Sequence, residues 1–274
     1  GLNHSHYSAL QVKNALVDQQ RELWGDRSSI DLEHPDLSLH LHLSRDGAVL
    51  SLDGSGSSLH RRGYRAAMGA APLKENLAAG LIRLTGWDAS MPLVDPCCGS
   101  GILLIEAVLA ALQQAPGLDR DFALEGWADF QPDLWQDECS RARNRRRRDL
   151  NLPPVIGIEQ DPDIVAQANS NVVAAGLEGV IEIRQGRFEA QSLPNGPGVL
   201  VCNPPYGERL GAMDDLDSFY GELGAFARRE ASGWHLWLLS GNPKLTGALR
   251  LKASRRIPVS NGGIDCRWLH YAIR

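Results

Sequence analysis

The segment Asn203-Pro204-Pro205-Tyr206 carries side chains that could hold a planar group bearing an amine. It follows the apolar run 200–202, which predicts a buried strand, and the prolines end that strand because they cannot donate a backbone hydrogen bond. Asn203 therefore falls at the end of a strand, where open α/β sheets hold their ligands. The Asn203 side-chain oxygen and the Pro204 carbonyl can accept two N–H groups, and Tyr206 can stack on a ring.

A second candidate site is the loop Asp95-Pro96-Cys97-Cys98-Gly99-Ser100-Gly101, which lies between a short strand and an apolar helix. Its glycines let a ligand approach the backbone, and the helix N-terminus supplies unpaired N–H groups. The loop matches neither a phosphate loop nor Gly-x-Gly-x-x-Gly, and Asp95 would repel a pyrophosphate. The acid suits a cationic ligand, such as the amino group of an amino-acid moiety. The alternative is a plain turn between strand and helix.

Two acids follow the next predicted strand of the sheet, which spans residues 155–159. An acid in the position of Glu159 commonly accepts hydrogen bonds from ribose hydroxyls. Asp161 precedes Pro162, and this pair is typical of a helix N-cap with proline at the first helical position. We therefore assign Glu159 to a ligand and Asp161 mainly to capping.

Strands and helices alternate from residue 63 to the C-terminal hairpin around Asn261-Gly262, which predicts an α/β fold. We expect a doubly wound sheet with an antiparallel edge, in which residues 100–114 and 134–150 form helices. Residues 1–62 predict one helix and a hairpin that turns at Asp46-Gly47. That is too little to bury a core, so this segment reads as the second half of a small α/β module. The predicted domains are 1–62 and 63–274.

The glycine loop, the acid one strand later and Asn-Pro-Pro-Tyr together resemble the class I S-adenosylmethionine-dependent methyltransferases that methylate amines. Three further segments narrow the resemblance to the bacterial THUMP-domain guanine-N2 RNA methyltransferases of 23S rRNA, the guanine-2445 type; they are 59–65, 71–75 and 207–210. The resemblance covers residues 63–274, and residues 1–62 are similar to the C-terminal part of a THUMP RNA-binding domain. It implies a Rossmann-like fold, S-adenosylmethionine as cofactor, and methyl transfer to N2 of a guanine in RNA, with rRNA the first expectation.

The resemblance also implies roles for individual residues. Asp95, Cys97, Gly99 and Gly101 would line the methionine end of the cofactor, and Glu159 would hold its ribose. Asn203, Pro204, Pro205 and Tyr206 would be catalytic, and Asn203 would contact the cofactor as well. No chemical step is assigned to Cys97 or Cys98. The family usually has an Asp that contacts the adenine amine, where this chain has Arg187. Phe188 is expected to pack against the adenine ring instead.

Enzymes for other substrates share Asn-Pro-Pro-Tyr: tRNA guanine-N2, DNA adenine-N6 and protein glutamine-N5 methyltransferases. The hairpin module before the catalytic domain favours RNA, but it does not separate rRNA from tRNA. An RNA-binding or assembly factor that keeps the fold without activity is the remaining alternative, and Arg187 is its support.

Arginines are the expected RNA contacts, because the chain as a whole carries a net charge of −5 and RNA must bind a local patch. Six arginines lie between 141 and 148, and on a helix 141, 145 and 148 would share one face. The run is either a phosphate-binding ridge or a solvated helix. The candidate RNA-binding residues are Arg61, Arg62, Arg65, Arg145 and Arg148.

The five cysteines, an odd number without framework spacing, favour a reducing compartment and predict a cytoplasmic protein. Cys97 and Cys98 are adjacent, which is not the spacing of zinc ligands, so no metal site is expected. The sequence has no apolar run long enough for a membrane helix and no signal pattern at its N-terminus, so no membrane association is expected. The oligomeric state is not predicted.

Overall fold

The computed structural model describes residues 4–45, 47–65, 73–148, 150–205 and 213–274, with only the backbone at 213–215. The chain forms two compact units, Gly1–Ser58 with Asp121–Trp135, and Leu59–Arg120 with Gln136–Arg274. The predicted boundary after residue 62 assigns the insertion 121–135 to the second domain, whereas the fold groups it with the first unit. The reason is local: the Leu124 N–H donates to the Gly54 carbonyl at 3.1 Å, and Trp127 lies over Gly54.

The first unit contains the predicted helix and hairpin, α1 (Ser5–Trp24), β1 (Ser38–Leu43) and β2 (Ala48–Asp53). The strands pair antiparallel with Ser38 opposite Asp53 and Leu43 opposite Ala48. The Ser44 N–H donates to the Gly47 carbonyl at 2.8 Å and closes the hairpin, while Asp46 of the predicted turn lies outside the described residues.

The second unit is built on a mixed sheet of seven strands within the described residues, in the order β5-β4-β3-β6-β7-β9-β8. The strands are β3 (Leu93–Asp95), β4 (Val155–Glu159), β5 (Ile181–Gln185), β6 (Val199–Cys202), β7 (His235–Ser240), β8 (Arg255–Asn261) and β9 (Ile264–Ala272). Strands β3 to β7 are parallel, and β9 runs antiparallel to both β7 and β8. The order reverses at β3, so β3 and β6 border the switch point where such sheets bind ligands. The predicted doubly wound α/β fold is confirmed.

Helices cover both faces of this sheet. The helices between residues 75 and 248 are α2 (Glu75–Thr85), α3 (Ile102–Ala111), α4 (Pro132–Arg145), α5 (Pro162–Ala174), α6 (Met213–Glu230) and α7 (Pro243–Ala248), of which α4 has no buried residue. Successive residues of each strand point to opposite faces, so β6 contributes Val201 to a core with α3 and Leu200 to a core with α6. Both side chains are fully buried, as is typical of a parallel strand covered on two sides.

Two predicted helix ends are wrong. Helix α3 ends at Ala111 rather than Gln114, and α4 ends at Arg145 rather than Leu150. The chain leaves α4 because the Arg147 N–H donates to the Leu112 carbonyl at 2.8 Å, a tertiary bond that replaces the next helical one. Arg148 therefore does not share a helix face with Arg145. Among the described helices, none combines the length and the apolar content that crossing a membrane requires.

Candidate active site

Parallel pairing brings the glycine loop and the Asn-Pro-Pro segment to the same edge of the sheet. Leu93 pairs with Val199 and Val94 with Leu200, so β3 and β6 run side by side and end at the same edge. The thiol sulfurs of Cys97 and Cys202 lie 2.8 Å apart across the gap between these strands. The candidate residues of both segments are therefore neighbours at the switch point, as their positions at strand ends predict.

The glycine loop is fixed by hydrogen bonds to the elements around it. The Cys98 N–H donates to the Ile158 carbonyl at 2.9 Å, and Asn171 Nδ2 donates to the Ser100 carbonyl at 3.0 Å. Gly99 has a φ of +53° and Gly101 a φ of +81°, in the left-handed region that glycine adopts without strain. The loop thus presents its backbone in one conformation at the N-terminus of α3.

Asp95 is the charged group at the base of this loop, and its side chain is buried. Burial raises its pKa to about 8; the Cys97 N–H, which donates to Oδ1 at 3.1 Å, opposes the shift, and the charge of Glu159 adds to it. A cationic ligand beside it would favour the ionised form, so the position suits an ammonium group.

Glu159 connects the end of β4 to the glycine loop. Its Oε2 accepts a hydrogen bond from the Gly99 N–H at 3.2 Å, and its Oε1 accepts from the backbone of Gln160 and Asp161. The carboxylate is held at the edge of the sheet and retains lone pairs for hydroxyl donors. The predicted N-cap is confirmed, because Asp161 Oδ1 accepts from the backbone of Asp163 and from that of Ile164 at the start of α5.

Asn203 presents an acceptor that none of the described residues uses. Its Oδ1 is buried and has no hydrogen-bond partner among the residues that the structure describes. Pro204 beside it is buried and Pro205 is partly buried, whereas Tyr206 lies outside the described residues. An unpaired buried acceptor costs about 1–3 kcal/mol. Such a group calls for an explanation, and a ligand donor is the one that its place at the switch point supplies.

The end of β5 differs from the expected adenine site. Arg187 stands exposed at the position where the resemblance leads us to expect an Asp, and its Nη2 lies 2.7 Å from Glu189 Oε1 and 2.9 Å from Glu222 Oε2. Phe188 is only 5% exposed and packs edge-on against Phe219 and Phe226. Most of the ring is therefore covered by protein, and the contact of Phe188 with adenine stays a prediction.

Two of the arginines predicted to bind RNA are buried in ion pairs instead. Arg62 Nε lies 2.9 Å from Glu106 Oε1, although its N–H does not point at that oxygen, and Tyr64 Oη donates to the same oxygen at 2.7 Å. Arg65 Nε lies 3.4 Å from Glu75 Oε1. The arginine side chains are 10% and 9% exposed. Both guanidinium groups neutralise buried carboxylates, so the prediction that they contact RNA is not supported.

The other predicted RNA contacts remain on the surface. Arg61, Arg145 and Arg148 are exposed, and Arg145 ends α4. Arg141 of the same run is engaged with Glu138 at 3.0 Å. The run is thus split between the last turn of a helix and an irregular segment, which differs from the single helix that both interpretations of the run assumed.

A larger basic surface was missed by the motif search. Residues 241–274 contain seven basic side chains and the single acid Asp265, a net charge of +6 in a chain of −5. We name these seven exposed residues the basic edge: Lys244, Arg250, Lys252, Arg255, Arg256, Arg267 and Arg274. They lie on α7, β8, β9 and the adjoining segments, and β8 is the edge strand of the sheet. Charges on an edge strand also prevent unwanted pairing, so the surface needs a functional test. A charge count along the sequence would have found it.

Comparison with known proteins gives matches over nearly the whole chain. Residues 62–270 match the family described as RMKL-like, methyltransferase domain, and residues 1–53 match the THUMP domain. The Synechocystis sp. protein slr0064, named as a candidate RNA methyltransferase, is 44% identical over 99% of this chain and 71% of its own length. The ribosomal RNA large subunit methyltransferase K/L of Syntrophotalea carbinolica is 44% identical over 99% of this chain.

This chain covers a different share of the length of each relative. The chain spans 40% of the length of the Syntrophotalea protein. The crystal structure of SMU.472, described as a candidate methyltransferase complexed with SAH, superposes with a TM-score of 0.86 at 31% identity and covers 96% of this chain and 69% of that one. Activities of the longer relatives therefore extend to this chain only as proposals.

Proposed function

The chain belongs to the family of RMKL-like methyltransferases and carries a THUMP domain, and we propose that it methylates the exocyclic N2 of a guanine in RNA. Methyl transfer from S-adenosylmethionine is the chemistry of this fold family. The observation that carries the finer proposal is the buried, unused Asn203 Oδ1 at the end of β6, within the residues described. This oxygen can accept a hydrogen bond from an N–H group of the substrate, and it lies at the edge where such sheets bind their ligands.

The residues at this edge fit the cofactor. Asp95 is a buried carboxyl that a cation would ionise, and it suits the amino group of the methionine moiety. Glu159 keeps acceptor capacity for the ribose hydroxyls. When bound, S-adenosylmethionine supplies an electrophilic methyl group, so the protein needs no metal ion or covalent intermediate for this step.

The protein's part in the reaction is to position the amine and to stabilise it as it becomes positive. The amine of guanine is a weak nucleophile because its lone pair is delocalised into the ring. Asn203 Oδ1 and the Pro204 carbonyl can accept its two N–H groups and favour a pyramidal nitrogen whose lone pair faces the methyl donor. The hydrogen bonds to these two acceptors become stronger as positive charge develops on the nitrogen. This is electrostatic stabilisation of the transition state by preorganised groups. The proton can leave after transfer, so a strong general base is not required.

RNA as the substrate is supported by three independent features. The relatives named above are RNA methyltransferases by name, in one case of the ribosomal large subunit. The THUMP match adds a second domain of the kind found in RNA-modifying enzymes. The basic edge offers exposed cations in an otherwise acidic chain, which suits a phosphate backbone. We extend the proposal of RNA binding to three further exposed side chains, Arg61, Arg145 and Arg148.

Arg187 favours one alternative, an RNA-binding factor that has kept the fold without catalysis. Its ion pairs with Glu189 and Glu222 occupy the place of the expected acid at the adenine end. Calorimetric titration of the whole chain with S-adenosylmethionine separates the two functions. The enzyme requires measurable one-to-one binding, and a chain that binds RNA but gives no heat with the cofactor would be the inactive factor.

The proposal is tested by methylating RNA from cells that lack this activity. We expect the chain to transfer label from S-adenosylmethionine to unmodified large-subunit rRNA, and nuclease digestion with mass spectrometry to yield N2-methylguanosine. Unmodified tRNA and DNA serve as parallel substrates, since related enzymes with the same tetrapeptide use them. Methylation of tRNA alone would replace the rRNA proposal, and a methylated adenine would refute the assignment to guanine.

A further inference from the structure

Three atoms that commonly bind metal ions meet beside the proposed methyl-transfer site. A carboxylate oxygen of Asp95 and the sulfurs of Cys97 and Cys202 all lie within 4.8 Å of one another. Strand β3 ends at Asp95 and β6 ends at Cys202, so the pairing of the two strands creates the cluster. No chemical step of the proposed methyl transfer is assigned to either sulfur, although Cys97 is predicted to line the methionine end of the cofactor.

We propose that Asp95, Cys97 and Cys202 form a binding site for Zn²⁺ or a similar thiophilic divalent cation. Two thiolates and a carboxylate suit zinc, whereas magnesium and calcium prefer sites made of oxygen alone. Three protein ligands leave a fourth position open, unlike structural zinc sites, in which the protein supplies all four ligands. The thiol protons pass to the buffer as the two metal–sulfur bonds form, so no oxidant or reductant is needed.

The geometry requires one adjustment. Zinc–sulfur bonds of about 2.3 Å at a tetrahedral angle place two sulfurs about 3.8 Å apart. The observed 2.8 Å must therefore open by roughly 1 Å. Cys202 is fully buried in a strand, whereas Cys97 is partly exposed in the loop that follows β3. We infer that Cys97 moves, and that the metal enters from its exposed side.

The site has a consequence for the cofactor, and this part rests on the proposed function. Asp95 cannot bind a metal ion and the ammonium group of S-adenosylmethionine at the same time. Two cations held at one carboxylate would also repel each other. Zinc and cofactor therefore compete, and zinc inhibits methyl transfer by occupying the methionine end of the cofactor site.

Cobalt(II) tests the site directly, because thiolate bound to cobalt gives a charge-transfer absorption in the near ultraviolet. The wild-type chain should take up one equivalent with this absorption, and added Zn²⁺ should abolish it. Cys202→Ser and Cys97→Ser should each lose the band, and Cys202→Ala replaces the serine variant if that fails to fold. Cys139→Ser is the matched control, since Cys139 lies on α4 away from the cluster, and it should keep the band.

No band in the wild type, or an undiminished band in Cys202→Ser, would overturn the site. Competition is measured separately, by titrating S-adenosylmethionine at a fixed concentration of free Zn²⁺. At ten times the zinc dissociation constant, simple competition raises the apparent dissociation constant of the cofactor about elevenfold. Cobalt binding without this shift would overturn the shared use of Asp95. Failure of the cofactor to bind in zinc-free buffer would refute the proposed function and leave the metal site standing.

Discussion

Replacing Asn203 by alanine should abolish methyl transfer without destabilising the fold. Most buried polar side chains in a protein hold the structure together, so their removal costs stability. Asn203 Oδ1 differs because it is buried without a partner among the described residues. The variant removes an acceptor that is hydrated in the unfolded chain and that no described residue satisfies in the folded one. Function and stability should therefore change in opposite directions.

The two magnitudes follow from the state of this one oxygen. An unpaired buried acceptor costs about 1–3 kcal/mol, and the variant recovers this free energy. The variant also loses the packing contacts of the amide, so we expect a net stabilisation of about 1 kcal/mol. For a domain of this size that raises Tm by about 2–4 °C. Loss of one preorganised group that stabilises charge in the transition state lowers kcat by about 10²–10³. The affinity for S-adenosylmethionine should stay nearly unchanged.

Asn171→Ala is a matched control, because it makes the same chemical change at a buried asparagine that is paired. Its Nδ2 donates to the Ser100 carbonyl, so its loss leaves that acceptor unpaired and should destabilise the fold. Urea unfolding gives the change in the free energy of unfolding for each of the two variants relative to the wild type. Single-turnover methyl transfer gives the change in rate for each variant. If Asn203→Ala is as destabilised as Asn171→Ala, Oδ1 is a structural group. If its methyl transfer stays within a few-fold of wild type, Asn203 does not hold the reacting amine.

Three further predictions concern residues outside the site. Arg62→Ala leaves a buried carboxylate unpaired and should lower the free energy of unfolding by about 3–5 kcal/mol in urea, while the salt dependence of RNA binding stays the same. Gly224→Ala should destabilise the fold by about 1–3 kcal/mol, because a Cβ there would overlap the backbone carbonyl after α7. Gly80→Ala should instead stabilise α2, because a Cβ at that position would meet no described atom within 4 Å. Arg255→Glu with Arg256→Glu should weaken RNA binding and flatten the slope of log affinity against log salt by about 1–2; an unchanged slope would make the basic edge a purely structural feature.

Local signals in the sequence predicted the elements that local forces determine. The N-cap at Asp161 follows from a short acidic side chain before proline, and the hairpin of the first unit follows from strict alternation around a turn. The convergence of Asp95 and Asn203 at one edge follows from both lying at ends of parallel strands. What could not be predicted depends on distant contacts. Helix α4 ends where Arg147 bonds to Leu112, a residue of another segment.

The proposed metal cluster could not be identified from the sequence for the same reason. Cys97 and Cys98 are adjacent, which argued against a metal site, but the partner of Cys97 is Cys202, a residue 105 positions away. Sequence spacing identifies zinc sites whose ligands lie on one or two local turns. It says nothing about a ligand set assembled by the pairing of β3 with β6, which only the topology of the sheet brings together.

The arginines show when a sequence can identify a binding surface and when it cannot. The role of a single arginine depends on its partner. Arg62 lies in a run of basic residues, yet its charge is neutralised by the buried carboxylate of Glu106. A segment is different, because a local excess of charge cannot be neutralised from within. Residues 132–148 carry six arginines but three acids, and one of those acids pairs with Arg141. Residues 241–274 carry seven basic side chains and one acid. Charge reversal at Arg255 and Arg256 should therefore weaken RNA binding more than the same change at Arg145 and Arg148, and equal losses in parallel salt titrations would refute this ranking.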